Sequence, residues 1–266
     1  MIVLITGASG GFGKVLGATL AAKGLTVYGT MRNPVGREAE FPFPILAMEA
    51  GNDESVDTCV NTIVEKEGRI DALVNCINTM VIGSVEETSV AELEALYATN
   101  VFGVARICKA VVPVMRAQAG GTIINMSSLG GLLAVPLMSA YTSAKFALEA
   151  FTEALYQEMK PDNIDVVIMQ PVAMSMTRPA SGDHLQLVQG VKDHSLSHRM
   201  LKRMDKDTRS SKLSPEMVAD KIYSILLSDK KPLRVPMDKA RAISIVKRLA
   251  PQFVVDRLVG GLMAKG

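Results

Sequence analysis

A glycine-rich turn directly after the first strand-like run is the feature that most limits how this chain can fold. Residues 2–6 read Ile-Val-Leu-Ile-Thr, glycines follow at positions 7, 11 and 13, and a helical apolar pattern begins at once. The amides at a helix N-terminus favour an anion, and glycines let a phosphate group approach the backbone closely. The turn therefore predicts the first strand–turn–helix unit of an α/β sheet that binds a phosphate-bearing ligand.

Strand-like and helical patterns alternate along the chain, which is typical of a parallel sheet with helices on both faces. With 266 residues, 48% of them hydrophobic, residues 1–266 are expected to form a single α/β domain, a Rossmann-type doubly wound parallel sheet of about seven strands. The strand-like runs lie at 2–6, 25–31, 45–48, 71–75, 121–126, 164–169 and 233–235. The helical patterns lie at 11–23, 53–67, 89–118, 139–159, 214–228 and, as a basic amphipathic helix, at about 238–263.

Short signals set several helix boundaries. Residues 89–92, Ser-Val-Ala-Glu, form a capping box, and Ser214 precedes a proline in the way that N-caps do. Gly120 follows the end of the predicted 89–118 helix, where a left-handed cap is common. Pro113 interrupts that helix, and we expect it to cause a kink there.

Charge and cysteine usage argue against several classes of protein. The net charge is +2, which gives no electrostatic case for nucleic acid. Cys59, Cys76 and Cys108 are scattered and odd in number, so they predict buried thiols in a reducing compartment and no metal site. The first strand begins at residue 2, and apolar stretches of about 18 residues are lacking. We therefore expect a cytoplasmic protein without a signal peptide or transmembrane segment.

Tyr141 and Lys145 stand one helical turn apart in Tyr-Thr-Ser-Ala-Lys, so their side chains share one face of a helix. A free tyrosine has a pKa of about 10, and a neighbouring cation favours its phenolate. We expect Lys145 to lower the pKa of Tyr141 toward the range useful for acid–base work. Ser128, thirteen residues earlier, could polarise the same substrate oxygen, with Ser127 as its rival.

Together these motifs resemble the short-chain dehydrogenase/reductase family over roughly residues 1–178. The resemblance implies a catalytic tetrad in which Tyr141 exchanges a proton with the substrate oxygen and Lys145 assists it. Ser128 would orient that oxygen, and Asn100, in Thr-Asn-Val-Phe-Gly, would hold a relay water. It further implies a homodimer or homotetramer that pairs through the long helices near 100–118 and 139–159.

The cofactor implied by the resemblance is a nicotinamide dinucleotide. An NAD site usually has an acid after the second strand, whereas this chain has Arg32, which can bind a 2′-phosphate, so we expect NADP(H). Two family motifs are altered, at 75–78 and 169–174, and in the second Met174 stands where the family has the threonine that caps the carboxamide. The expected cofactor-binding residues are Gly7, Ser9, Gly11, Phe12, Gly13, Arg32, Glu49, Asn75, Tyr141, Lys145, Pro171 and Val172.

The expected substrate is a small hydrophobic ketone, aldehyde or alcohol of steroid, retinoid or lipid type. By resemblance the segment at about 174–213 is a lid over it. The basic helix at the C-terminus could pack against its own domain, cover the substrate mouth, dock a partner subunit or touch a membrane surface. Alternatives are a 3-oxoacyl-carrier-protein reductase, a non-catalytic NADP-binding sensor or scaffold, and a surface-bound lipid-binding protein. The expected substrate-side residues are Ser128, Val135, Met138, Tyr141 and Met174.

Overall fold

A seven-stranded, fully parallel sheet forms the centre of the molecule. The computed structural model describes residues 1–175 and 185–264, except the side chains of residue 258 and of residues 262–264. The strands are β1 (Ile2–Thr6), β2 (Thr26–Met31), β3 (Ile45–Ala47), β4 (Ala72–Asn75), β5 (Val81–Ile82), β6 (Gly121–Met126), β7 (Ile164–Gln170), β8 (Gln186–Leu187) and β9 (Arg234–Pro236). The main sheet has the order β3-β2-β1-β4-β6-β7-β9, as expected for a doubly wound fold.

Helices cover both faces of this sheet. They are α1 (Gly11–Ala22), α2 (Asp53–Glu67), α3 (Val90–Tyr97), α4 (Val104–Ala117), α5 (Ser139–Met159), α6 (Leu196–Arg209), α7 (Pro215–Leu226), α8 (Lys239–Leu249) and α9 (Gln252–Ala264). Successive β1 side chains point to opposite faces, so Val3 and Ile5 pack with α1 and α7 while Leu4 packs with α2, α4 and α5. The prediction of a parallel sheet with helices on both faces is confirmed, and each face has its own apolar core.

The predicted 89–118 helix is not regular throughout. Its capping box is confirmed, because Ser89 Oγ accepts from the Glu92 amide at 3.2 Å and the Glu92 carboxylate accepts from the Ser89 amide at 2.9 Å. Regular geometry is interrupted by a π-helical turn at Ala98–Gly103, which separates α3 from α4. The break lies at this turn, while Pro113 is inside α4 and the kink expected there stays a prediction.

By length and composition alone, residues 90–117 are long and apolar enough to cross a membrane. Many core helices of water-soluble proteins have the same length and composition. Here Ile107, Val111 and Met115 are fully buried against the sheet, so an apolar face of this stretch is already used inside the domain.

The predicted single helix at 238–263 is wrong, because the structure has two helices there. Pro251 disfavours helical backbone at the residue before it, and Ala250 is extended with a ψ of 144°, so α8 ends at Leu249 and α9 begins at Gln252. The predicted start of α7 is confirmed, since Ser214 Oγ accepts from the Met217 amide at 3.2 Å.

The predicted lid region contains two described elements, β8 and α6; apolar residues at helical spacing indicated a helix there without its bounds, but nothing indicated β8. The first of them pairs with β5 in a small parallel sheet, where Val81 aligns with Gln186 and Ile82 with Leu187. Strands of two residues carry no periodicity that a sequence can reveal. Through this pairing the segment after residue 184 is fixed to the rest of the domain.

Candidate active site

The predicted site residues converge on the carboxyl edge of the sheet, where the strand order reverses between β1 and β4. In open α/β sheets such a switch point forms a crevice beyond the strand ends. The glycine loop follows β1, Asn75 ends β4, Ser128 follows β6, and Pro171 follows β7. The topology thus brings together segments that are far apart in the sequence.

The glycine loop has the geometry of a phosphate cradle. Gly7 has a φ of +68°, which side chains rarely allow, and the Gly10 amide donates to its carbonyl at 3.1 Å. A Cβ on Gly13 would lie 2.4 Å from the Gly7 oxygen, so α1 can approach the loop only with glycine at that position. Gly10, at the N-cap of α1, has no side chain to accept from the first-turn amides, and these can face an anion.

Other predicted residues of the loop divide by exposure. Ser9 is exposed beside the cradle, Gly11 is the first residue of α1, and Phe12 is buried in the core on the α1 face. Phe12 therefore supports the loop by packing, and a dinucleotide would meet its backbone instead of its ring.

Arg32 and Glu49 lie beyond the ends of β2 and β3. Arg32 is exposed, and no hydrogen bond or ion pair joins its side chain to another described residue. The neighbouring Arg37 is already engaged, because its guanidinium donates to both carboxylate oxygens of Glu40 at 2.8 and 3.0 Å. Of these two arginines, Arg32 is the one available to a 2′-phosphate, while exposed Glu49 accepts from the Gly51 amide at 3.3 Å.

Tyr141 and Lys145 lie together as their spacing predicts, and Ser128 lies beside them as the family resemblance implies. The Lys145 ammonium lies 5.8 Å from the centre of the Tyr141 ring and donates to the Met126 carbonyl at 2.9 Å. The Ser128 hydroxyl accepts from the Gly130 amide at 3.1 Å and forms a hydrogen bond with the phenol. Its rival Ser127 is buried, and its hydroxyl has no partner among the described residues. Geometry thus favours Ser128.

Burial has the largest effect on the pKa values of Tyr141 and Lys145. It raises the pKa of Tyr141, and the hydrogen bond with Ser128 only opposes that rise, so the predicted direction for the pKa of Tyr141 is wrong in this structure. Burial also lowers the pKa of Lys145 to about 8. At neutral pH the phenol therefore keeps its proton and can donate it, while the ammonium is close to titrating.

Asn100 lies on the π-helical turn, fully buried. Its amide side chain donates to the Thr79 carbonyl at 2.7 Å and accepts from the Thr79 amide at 2.8 Å. It therefore fixes the backbone that leads into β5. Functional sites often carry π-helical turns, and this one had no signal in the hydrophobic periodicity. The predicted role in a water relay stays a prediction.

Asn75, Pro171 and Val172 line the crevice chiefly by their backbone. The Asn75 side chain is 1% exposed, accepts from Thr6 Oγ1 at 3.1 Å and donates to Asn125 Oδ1 at 2.8 Å. The Pro171 carbonyl accepts from the Leu129 amide at 2.9 Å, which ties this segment to the loop that carries Ser128. Val172 packs partly against the core on the α1 face.

Most of the predicted substrate-side residues join a third apolar cluster over Tyr141. Val135 and Met138 lie in it with residues of β5, α3 and α6. Leu137, between them, has a φ of +63°, a strained conformation that bulky residues adopt mainly at functional sites. Met174 packs instead against the core on the α1 face, so the structure does not bring it together with the other two.

Sequence reasoning missed a polar group next to Lys145. Glu149, one turn further along α5 and 6% exposed, accepts two hydrogen bonds from Gln170 at 2.9 and 3.0 Å and one from Arg234 at 3.2 Å. It also raises the pKa of Lys145 against the effect of burial. The repeat Tyr141, Lys145, Glu149 at intervals of four was a signal that could have found it.

Comparisons with known proteins agree with this geometry. A family model described as short chain dehydrogenase matches residues 1–183. The chain is 35% identical over 234 residues to a 3-ketodihydrosphingosine reductase of Bacteroides thetaiotaomicron, covering 88% of this chain and 86% of that protein. It is 32% identical over 181 residues to retinol dehydrogenase 8 of Bos taurus, covering 64% of this chain and 57% of that one.

A solved structure extends the likeness to the whole fold. The crystal structure of a short-chain dehydrogenase from Streptomyces avermitilis matches with a TM-score of 0.82 at 27% identity. The match covers 100% of this chain and 98% of that one.

Proposed function

The chain belongs to the short-chain dehydrogenase family of oxidoreductases acting on CH–OH and C=O groups, and from that premise we propose an NADP(H)-dependent enzyme for a hydrophobic ketone or aldehyde and its alcohol. The observation that carries this proposal is the buried Tyr141 phenol, which lies beside Ser128 and the Lys145 ammonium within an apolar cluster. Polar catalytic groups surrounded by apolar side chains suit a substrate that has one polar group on a lipid-like body.

The cofactor part of the proposal rests on the cradle and on Arg32. The glycine loop and the first turn of α1 would hold the pyrophosphate, and Arg32 would bind a 2′-phosphate with charge-assisted hydrogen bonds. When bound, the nicotinamide supplies or accepts the hydride.

The chain's own residues supply the proton and the orientation. Tyr141 donates its hydroxyl proton to the substrate oxygen during reduction and takes it back during oxidation. Ser128 hydrogen-bonds the same oxygen and fixes its position, and the Lys145 ammonium stabilises the phenolate that remains. Asn100 holds the Thr79 backbone beside them.

The lipid-like substrate class is supported by two relatives. Their names say that one acts on 3-ketodihydrosphingosine and the other on retinol, and both molecules carry long apolar chains. Met138 and Met200, buried in the cluster over Tyr141, are flexible enough to adapt to such a chain.

Oxidation of NADPH and NADH with a panel of carbonyl compounds tests the proposal. The panel comprises a 3-keto long-chain base, retinal, a ketosteroid and an acetoacetyl thioester. We expect turnover with NADPH on at least one of the first three. Preference for the thioester would indicate the 3-oxoacyl reductase alternative, and cofactor binding without turnover on any compound would indicate a sensor.

A further inference from the structure

The helices at the C-terminus present an apolar face with no partner in the described structure. On α8, Ile245 and Leu249 are 59% and 76% exposed, and Phe253, in the first turn of α9, is 70% exposed. Ile245 and Leu249 are one helical turn apart, so they form a continuous stripe. Exposed apolar groups of this size, adjacent to one another, mark a binding surface more often than isolated ones do.

Two arginines border the stripe. Arg241 and Arg248 are both exposed and lie seven residues apart, so they share one side of α8 next to Ile245 and Leu249. Arg241 uses only its Nε hydrogen internally, on the Pro236 carbonyl at 3.2 Å. We refer to Arg241, Ile245, Arg248, Leu249 and Phe253 as the C-terminal docking face.

The surrounding segment concentrates the positive charge of the molecule. Between Asp238 and Ala264 the chain has five basic and two acidic side chains, while the net charge of the whole chain is only +2. A second copy meeting this face across a twofold axis would oppose these charges to themselves, which disfavours self-association. An anionic, partly apolar surface is complementary to both the charge and the stripe.

The docking face lies close to the loop that carries the candidate catalytic serine. Val255 of α9 is 3% exposed and, together with Val259, lines a cavity with Leu133 and Ala134. Leu133 and Ala134 lie two and three residues beyond the turn Leu129–Gly131, whose N-cap is Ser128. A surface bound by the docking face would therefore lie beside the substrate side of the site.

We propose that the C-terminal docking face binds the surface of an anionic lipid bilayer, from which the enzyme takes its substrate. Ile245, Leu249 and Phe253 enter the boundary between headgroups and acyl chains, and Arg241 and Arg248 pair with lipid phosphates. The benefit to the enzyme rests on the proposed lipid-like substrate, whereas bilayer binding itself requires no turnover.

Co-sedimentation of the full chain with vesicles tests this proposal. Vesicles of phosphatidylcholine with phosphatidylglycerol are compared with phosphatidylcholine alone. We expect binding only to the anionic vesicles. The Arg241→Gln/Arg248→Gln variant should bind roughly fivefold more weakly for each arginine removed. The Ile245→Ser/Leu249→Ser/Phe253→Ser variant should lose at least about tenfold.

A matched control distinguishes the face from general surface apolarity. Met217, on α7, and Leu227, the residue after it ends, are 54% and 55% exposed, and their double change to serine should leave vesicle binding unchanged. All variants should keep wild-type cofactor affinity and melting temperature within a few degrees, which shows that they fold.

Three results would overturn the proposal. The wild type does not sediment with anionic vesicles, it binds neutral vesicles equally well, or the Ile245→Ser/Leu249→Ser/Phe253→Ser variant binds like wild type. A fall in oligomer mass in the serine variant, without vesicle binding by the wild type, would assign the face to a second copy. Because binding is measured without substrate, it can succeed even if the proposed reaction fails.

Discussion

At the scale of single residues, the balance of charge around Lys145 decides how the candidate site works. The side chain is 2% exposed, and burial brings its pKa to about 8. Glu149 opposes this loss of charge from one turn away, while Gln170 and Arg234 hold its carboxylate in place. A buried cation needs such a countercharge, since unpaired burial favours the neutral amine.

The rate should therefore fall as pH rises through about 8, where the Lys145 ammonium loses its proton. In Glu149→Gln the pKa of Lys145 falls further, so this decline should begin at lower pH. We expect kcat/KM at pH 8 to drop at least about threefold relative to wild type, with a smaller effect at pH 6. The measurement is a pH profile at saturating cofactor.

Glu153→Gln is the matched control, because Glu153 contacts the same Arg234 but is half-exposed and one turn further from Lys145. Its profile should follow that of wild type. Superimposable profiles for Glu149→Gln and wild type would show that the carboxylate does not act through Lys145.

At the scale of elements, the loop after β1 and the end of β2 divide the binding of a dinucleotide between them. The glycine loop offers backbone amides, which do not distinguish NAD from NADP, and only the side chain after β2 can do so. Arg32 is exposed at that position, whereas Arg37, five residues later, is already paired with Glu40. We therefore expect cofactor preference to depend on the Arg32 side chain.

Replacing Arg32 with glutamine should raise the KM for NADPH by about ten- to hundredfold, since a charge-assisted hydrogen bond contributes about 1.5–3 kcal/mol. The KM for NADH should change little. Arg37→Gln serves as control and should leave both constants near wild type, because its guanidinium is paired with Glu40. Equal KM values for NADPH in the two variants would contradict the assignment of Arg32.

Elements with long periodic patterns were predictable, and those set by tertiary contacts were not. The seven main strands and the caps at Ser89 and Ser214 follow from local rules of burial and hydrogen bonding. The π-helical turn depends on Asn100 reaching the Thr79 backbone, twenty-one residues away. The small β5–β8 sheet likewise depends on a segment about a hundred residues further along the chain.

The same division holds for the candidate site. Tyr141 and Lys145 could be placed together because one helix carries both, and Ser128 only through the family resemblance. The role of Glu149 could not be predicted, because it depends on Gln170 of β7 and Arg234 of β9, which are brought to it only by the fold. The direction of the pKa of Tyr141 was wrong because sequence shows a neighbouring cation but not the depth of burial.

At the scale of the whole molecule, two apolar cores stabilise the sheet, and a third apolar cluster surrounds Tyr141 in the candidate site. That third cluster joins α5 to β5, α3 and α6. Its outer part is fastened by a latch in which the Glu87 carboxylate accepts from Ser197 Oγ at 2.6 Å and from the Ser84 amide at 2.9 Å. Hydrogen bonds from Ser195 and Ser197 lower the pKa of Glu87 to about 2, so the latch stays charged at and well below neutral pH.

Removing the latch with Glu87→Ala should loosen α6 without unfolding the domain. We expect hydrogen exchange across Leu196–Arg209 to quicken about fivefold or more, and the KM for a bulky substrate to rise. Glu86→Ala, at the exposed neighbouring position, is the control and should behave as wild type. Unchanged exchange in Glu87→Ala would show that the Glu87 hydrogen bonds do not hold α6 in place.

The central claim is that the Tyr141 hydroxyl exchanges the proton, and single-turnover hydride transfer in Tyr141→Phe tests it most directly. We expect the rate to fall by about 10²–10⁴, with cofactor affinity unchanged because only one hydroxyl is removed. Tyr156→Phe, the same change elsewhere on α5, should transfer hydride at the wild-type rate. A Tyr141→Phe protein that binds cofactor and keeps more than about a tenth of the wild-type rate would contradict the account.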